Sequence, residues 1–409
     1  MATSENIETQ LFIKNLTGKT KFVISKNSRA LGISRQTYQN KLDNLRKEKI
    51  INSFTININP IIHPVGLKYV MIEIKTNPKE PELVDELLKI PQLRILDGIL
   101  GDFSLFGLFI FKSSQEYHQI LNIIDKIMAG SYFKKYQIIE TIKIFKTHGI
   151  SLRESKFSFE LGFKINLKRL AEKTNSQYNP QRFPYVLMKL EDLQANIIIY
   201  PSGKVDAGNF NDNLIIEDII VRILDELKSA GIDVTKRKVD QSLKVDELDF
   251  IILKILQDAQ GSRPISTYEI RDIFNKNYSK ILQKLNKDDI SQSTIHNRIK
   301  ILENQGVILN YTINFSPKKV GFSGKYYLRI KPKDPSKYDE LAFKLVKNKN
   351  ITDLFRIGEQ HGLFAIVRVK KVEDYADFIR NLYQSDEIED TLTNFVLDEL
   401  KPYTNFVIY

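Results

Sequence analysis

A chain of 409 residues with 42% hydrophobic content is long enough for two to four domains and apolar enough to bury several cores, which excludes global disorder. Its formal charge of +11 favours a polyanionic partner, and the absence of cysteine excludes disulfides, thiolate metal sites and cysteine nucleophiles. No run reaches the roughly 18 apolar residues of a membrane span, and the start, Met1 to Asn6, lacks the features of a secretory signal, so no membrane partner and a cytoplasmic location are expected.

The positive charge is concentrated. Between Lys14 and Lys49 about ten basic residues stand against two acidic ones, a density that attracts phosphates. Over residues 4–16, Ile7, Leu11 and Leu16 form a loose helical stripe. Ser25 is placed to cap a short second helix, and Leu31-Gly32-Ile33 makes a tight turn. Ser34 then caps a third helix over 35–47, with Tyr38, Leu42 and Leu45 facing inward. Alternation through Ile50, Asn52, Phe54, Ile56 and Ile58 reads as a strand. Three helices and a wing over 1–60 give the winged helix-turn-helix pattern. Over 61–150 the order is a strand (68–75), a helix (81–89), two strands about Gly101-Asp102-Phe103, a helix (114–128) and a strand (136–146). This is the ferredoxin-like βαββαβ programme.

The segment 151–238 is different. A strand (156–163) and a short helix (167–174) precede Asn179-Pro180 and Phe183-Pro184, which fix the chain before an apolar run. Further strands fill 185–205, and Ser202-Gly203 supplies a hairpin turn. A long helix (214–230) carries Ile216, Ile219, Ile220, Ile223, Leu224 and Leu227 on one stripe, and Gly231 ends it. Ile165 to Ala171, Tyr178-Asn179-Pro180, Arg182-Phe183 and Ile199 to Lys204 occur in the order seen in one half of a TATA-box-binding protein, and the segment resembles that family. The resemblance implies a half-saddle sheet with Phe183 and Tyr200 where minor-groove wedges sit. Packing of Phe183 in its proline-rich turn, with Tyr200 as an ordinary strand aromatic, is the competing reading. Two residues depart from a groove reader: Glu154 aligns with a groove-reading asparagine, and Asp206 would meet a groove edge that offers A·T pairs no donor.

After this the first programme recurs. Residues 246–258 form an amphipathic helix, Ser266-Thr267-Tyr268-Glu269 has capping-box spacing, and Ile290 to Leu302 aligns with Ile33 to Leu45. A wing follows, completing a second such module over 239–317. The stretch 318–409 repeats the ferredoxin-like order about Gly358 to Gly362. An insertion separates the helices at 276–288. Ile-Ser-x-x-Thr-(Ile/Tyr)-x-x-(Arg/Lys)-(Ile/Leu)-x-x-Leu, followed by a wing and a βαββαβ unit, resembles the Lrp/AsnC family of transcriptional regulators. In the first copy Asn27 stands where an apolar residue is expected, which predicts looser support for its recognition helix.

The fold class expected is therefore α+β: two winged helix-turn-helix domains, two ferredoxin-like domains and one TATA-binding-protein-like half-saddle. On the first recognition helix Arg35, Gln36, Gln39 and Lys41 have the donor patterns that read base edges. Gln292, Ser293, His296 and Asn297 take that role on the second, with Arg298 reaching phosphate. An ordinary exposed polar helix face is the alternative for each residue. The family resemblance implies that the hairpins of Gly101, Asp102 and Ser104 and of Gly358 and Gly362 lie where subunits pair and an amino-acid effector binds; pairing alone is the simpler reading. The two ferredoxin-like copies are expected to pair within one chain, and the central segment to hold the two modules apart. The combination implies an archaeal setting. The five histidines show no ligand spacing and no phosphate-binding glycine fingerprint is present, so no catalytic residue, metal or cofactor is expected. The function expected is a regulator that binds duplex DNA. The alternative is an effector-binding or protein-interaction scaffold that contacts basal transcription factors through the half-saddle without sequence-specific DNA binding of its own.

Overall fold

The computed structural model describes residues 4–18, 22–61, 66–77, 79–152, 155–174, 176–191, 195–210, 214–234, 245–258, 263–284, 286–401 and 404–408. Helices α1 (Ser4–Leu16), α2 (Ile24–Ala30) and α3 (Arg35–Lys47) lead into strand β1 (Ile51–Ile58). On α1 the buried residues are Phe12, Ile13 and Leu16, whereas Leu11 is 54% exposed. The inward stripe is therefore displaced from the expected one; the side chain of Ile7 lies outside the described residues. Val23, not Ser25, is the N-cap of α2, because the amides of Lys26 and Asn27 both reach the Val23 carbonyl. Asn27 does not loosen α3. It is buried, and its amide donates to Tyr38 Oη at 3.4 Å, a hydrogen bond that an aliphatic residue could not supply.

The next unit runs β2 (Lys68–Lys75), α4 (Pro81–Leu88), β3 (Leu93–Ile99), β4 (Leu105–Phe111), α5 (Ser114–Gly130) and β5 (Lys135–Thr147). A short β6 (Ile150–Ser151) folds back on β5. Then come β7 (Ser155–Glu160), α6 (Leu167–Thr174), β8 (Gln177–Tyr178), β9 (Val186–Leu190), β10 (Ala195–Ile199), β11 (Lys204–Phe210) and α7 (Leu214–Ser229). A second helical set follows: α8 (Glu247–Asp258), α9 (Thr267–Asn277), α10 (Ser279–Lys284) and α11 (Gln292–Asn304), leading to β12 (Ile308–Phe315). The insertion thus holds a helix of its own, α10, whose Leu282 reaches the core. The last unit is β13 (Gly324–Pro332), α12 (Tyr338–Leu345), β14 (Ile351–Ile357), β15 (Leu363–Val369), α13 (Asp374–Tyr383) and β16 (Ile388–Glu399).

The recurring halves meet twice. β1 and β12 form an antiparallel ribbon from Ile51 opposite Phe315 to Ile58 opposite Ile308. Each strand enters the other module's core: Ile56 packs with Leu248, Ile252 and Ile299, while Ile313 and Phe315 pack with Phe12, Tyr38 and Leu42. The helical modules are fastened directly to each other, so the central segment is not what spaces them, contrary to expectation.

The second meeting is a closed barrel. Strands run β14-β15-β13-β16-β3-β4-β2-β5 and β14 pairs with β5 to close the circuit, with β6 outside it. Each βαββαβ unit alone would expose two sheet edges; joining edge to edge removes both pairs. Eight strands leave an interior that side chains can fill, and Tyr69, Met71, Phe106 and Leu108 meet Tyr327, Phe355, Phe364 and Ile366 there. Phe106 lies 4.0 Å from Tyr327 and stacks on Phe364 at 5.4 Å. Helices α4 and α5 cover one half of the outer wall, α12 and α13 the other.

The segment between them folds on itself. Its antiparallel sheet has the order β7-β11-β10-β9-β8. Val186, Met188, Ala195, Ile197, Ile199, Val205 and Ala207 alternate onto one face, against Leu170 of α6 and Ile223 and Leu227 of α7. Gly203 turns at φ 89°, and a Cβ there would lie 2.1 Å from the Phe163 carbonyl oxygen. Only glycine fits that turn.

Candidate nucleic-acid interface

Helices α3 and α11 begin alike. The Ser34 hydroxyl accepts from the Thr37 amide at 3.0 Å, and Ser291 accepts from the Thr294 amide at 3.2 Å. Each cap satisfies one of the amide donors a helix start leaves open. Tyr38, Leu42 and Leu45 on α3, and Ile295, Ile299 and Leu302 on α11, are buried. That fixes which polar residues face solvent.

Arg35 and Gln36 are exposed at the first turn of α3. Gln36 donates to Asn40 Oδ1 at 2.9 Å, and the half-buried Gln39 donates to Asp43 Oδ1 at 3.1 Å. On α11, Ser293, His296 and Asn297 are exposed, while Gln292 donates to Thr267 Oγ1 on α9 at 2.8 Å. Lys41 and Arg298 are placed differently from the expectation. Lys41 pairs with Glu8 on α1 at 2.9 Å, and Arg298 pairs with Asp246 and Asp249 at 2.8 Å each. At aligned positions, both cations tie the recognition helix back to the module's first helix, whereas Lys41 was expected at base edges and Arg298 at phosphate.

The modules differ in the charge they present. In the first, Lys14, Lys26, Arg29, Lys47 and Lys49 are exposed around α3. In the second, exposed Lys254, Lys276, Lys280, Lys284, Lys287 and Lys300 stand among exposed Asp246, Glu247, Asp258, Asp272, Asp288 and Asp289. Each arginine there is engaged: Arg263 with Glu269 at 2.9 Å, Arg271 with Asp272 at 2.5 Å, and Arg298 as above.

On the face of the central sheet away from α6 and α7, Phe183 stacks on Tyr185 at 5.0 Å and Tyr185 meets the edge of Tyr200 at 5.7 Å. Tyr185 was not singled out from the sequence, although it lies two residues past Phe183 in the same proline-framed turn. Lys204 pairs with Asp206 at 3.0 Å and lies 5.3 Å from the Tyr200 ring. Partial burial, with Asp206 alongside, raises the Tyr200 pKa. Glu154 lies outside the described residues.

Both glycine hairpins lean on the opposite half of the barrel. Leu100 N bonds to Phe395 O at 3.0 Å, and Gly101 sits against the Asn394 amide. Ser104 Oγ is held by Thr76, through its amide and its hydroxyl, at 2.8 Å each. The exposed Asp102 forms the tip of this hairpin. Gly358 N bonds to Glu140 O at 3.2 Å, and Gly362 packs under the Arg356 guanidinium, which lies 3.5 Å from the Tyr338 ring. Both hairpins thus touch the opposite half. A cleft of about 350 Å³ opens elsewhere, between α13 and the segment carrying Phe406 and Ile408, and none of the residues expected from the sequence lines it. Among the described residues no cluster of His, Asp and Glu has metal-binding geometry, and no helix is long and apolar enough to cross a membrane.

Residues 326–406 match the Lrp/AsnC ligand binding domain, and residues 150–229 match the family described as transcription factor TFIID (or TATA-binding protein, TBP). The chain is 32% identical over 166 residues to the HTH-type transcriptional regulator FL11 of Pyrococcus abyssi, covering 98% of that protein and 41% of this one. It is 30% identical over 159 residues to the HTH-type transcriptional regulator LrpA of Pyrococcus horikoshii, covering 99% of that protein and 38% of this one. Over 98% of its length the chain also superposes on 93% of the siroheme decarboxylase NirDL, with a TM-score of 0.46 and 10% identity, a likeness too loose to bear on function. The near-complete match to FL11 and LrpA establishes that the chain belongs to the Lrp/AsnC family of HTH-type transcriptional regulators.

Proposed function

We propose that this protein is a duplex-DNA-binding transcriptional regulator in which one chain carries two winged helix-turn-helix modules and two ferredoxin-like domains, a duplicated regulator around a TATA-binding-protein-like half domain. The observation that carries the reading is the pair of identically capped helices, α3 and α11, set on one ribbon with their polar faces exposed. Arg35 and Gln36 would contact base edges, with Lys26, Arg29 and Lys47 neutralising phosphates. Fluorescence anisotropy on labelled duplex across a salt series tests it. Binding should weaken steeply as salt rises, and Arg35→Ala should lower affinity and flatten the salt slope by about one contact. Unchanged affinity and slope in that variant would remove α3 from the interface. A small effector, such as an amino acid, and association through the ferredoxin-like domains belong to the same reading.

A second reading is favoured by one observation. Asp206 stands on the open face of the half-saddle beside Tyr200, and a carboxylate finds no donor in an A·T minor groove. This face would then contact a basal transcription protein, and pull-down in the absence of nucleic acid separates the two readings.

A further inference from the structure

We propose that a single chain reads a non-palindromic duplex site, with two unlike half-sites in a fixed order. This rests on the DNA-binding reading above and adds the class of sequence recognised.

The ribbon supplies the geometry. β1 starts four residues after the end of α3 (47 to 51), and β12 starts four residues after the end of α11 (304 to 308). The strands have eight residues each and pair along their whole length in opposite directions. The ends of α3 and α11 therefore lie at opposite ends of the ribbon, which spans roughly 25–30 Å for eight extended residues. That separation approaches the ~34 Å between successive major-groove faces, the spacing two recognition helices of a dimer normally use. Here one chain provides both helices, because each wing strand is built into the other module's core.

The chemistry on the two helices differs. At aligned positions the first helix presents the exposed Arg35 and Gln36 where the second carries the half-buried Gln292, whose amide donates to Thr267, and the exposed Ser293. Arginine at a helix start favours guanine through O6 and N7; glutamine favours adenine through N6 and N7. Around α3 exposed lysines and arginines face few exposed carboxylates. The second module's exposed lysines, such as Lys284, Lys287 and Lys300, instead stand among exposed carboxylates, such as Asp272, Asp288 and Asp289, and its arginines pair with its own acids. A twofold-symmetric operator would give one of these helices the wrong bases. The unlike pair instead favours a strong, salt-sensitive half-site under α3 and a weaker, more neutral one under α11.

The test is selection from a random duplex pool with the full-length chain, followed by native mass measurement of the complex on the selected duplex. The expected result is two unlike boxes about one helical turn apart, bound by one chain, with inversion of the α11 box costing about tenfold in affinity. A triple variant, Gln292→Arg, Ser293→Gln and His296→Gln, should shift the preference toward an inverted repeat of the α3 box. Hydroxyl-radical footprinting of the unaltered protein gives an independent readout should that variant unfold: two unequal protected patches are expected. Selection of a palindrome, or two chains on every selected duplex, overturns the proposal while leaving DNA binding intact. Failure to select any duplex overturns both.

Discussion

At the middle of the ribbon Thr55 lies opposite Thr312, its counterpart in the recurring half. In the barrel Glu73 meets Arg329, and these too are counterparts, since Glu73 lies opposite Phe106 on β4 and Arg329 opposite Phe364 on β15. Counterparts touch only beside the pseudo-twofold axis, so both pairs mark it. They treat it differently. Two threonines are tolerated in either a symmetric dimer or a fused one. Glutamate against arginine is available only when the two halves differ. In a symmetric dimer of either half, the same position would face two buried carboxylates or two guanidinium groups, each without its countercharge. The ribbon keeps the symmetry of a dimer, and the barrel uses the freedom of a single chain.

The largest expected effect tests that contrast directly. Glu73 and Arg329 are each 5% exposed and 2.7 Å apart, and Arg329 also reaches Glu359 at 3.2 Å and Asn394 at 3.0 Å. Arg329→Met should cost about 3–5 kcal/mol in urea unfolding, because it strands a buried carboxylate. Adding Glu73→Met should recover a good part of that loss. Strict additivity of the two changes would show that the pair does not couple the halves.

A second buried pair crosses between the halves and can be broken with acid. Arg94 on β3 holds Asp353 on β14 at 2.9 Å. Burial works against this carboxylate, but Arg94 and then His148 outweigh it and bring its pKa to about 2. The folded value lies below the unfolded one, near 4. The stability it contributes is therefore present in full above about pH 4 and lost as pH falls through about 2. Asp353→Asn should be less stable at neutral pH and show a flatter acid limb between those values in pH-dependent unfolding. An acid limb identical to the parent's would assign the loss to other carboxylates, such as Glu399, which Arg368 and Lys325 hold below its usual range against the cost of burial.

What could be read from the chain divides along physical lines. The helices and the order of elements are local: Ser34 and Ser291 announce their helix starts, and Tyr38, Leu42 and Leu45 show the inward face by spacing alone. Barrel closure is not local. β2 reads as a nearly unbroken apolar run because Tyr69 and Met71 fill the barrel while Val70 and Ile72 face α4 and α5. Such a run reports burial on two faces without naming the partner strand. Charges inside these runs, Glu73 and Arg329, were the available sign that something opposite must answer them. The candidate site divides the same way. Arg35 and His296 lie where helical spacing puts them, whereas the partners of Lys41 and Arg298 are on helices brought near only by the tertiary fold.

Those two cations give the smallest expected effect, and they extend the contrast from the axis to the periphery. The halves have drifted apart at Glu73 and Arg329, yet at Lys41 and Arg298 they keep one device, a cation joining the recognition helix to the first helix. The settings differ: Glu8 is 71% exposed, whereas Asp249 is 9% exposed. Lys41→Ala should therefore change stability by less than about 1 kcal/mol, as exposed pairs do. Arg298→Ala leaves a buried carboxylate short of its partner and should cost about 1–3 kcal/mol. Because Lys41 is engaged with Glu8, its removal should also leave the salt slope of DNA binding nearly unchanged, in contrast to Arg35→Ala. A full unit lost from that slope on Lys41→Ala would mean that the lysine leaves Glu8 for phosphate when duplex arrives, and that α1 is freed in the bound state.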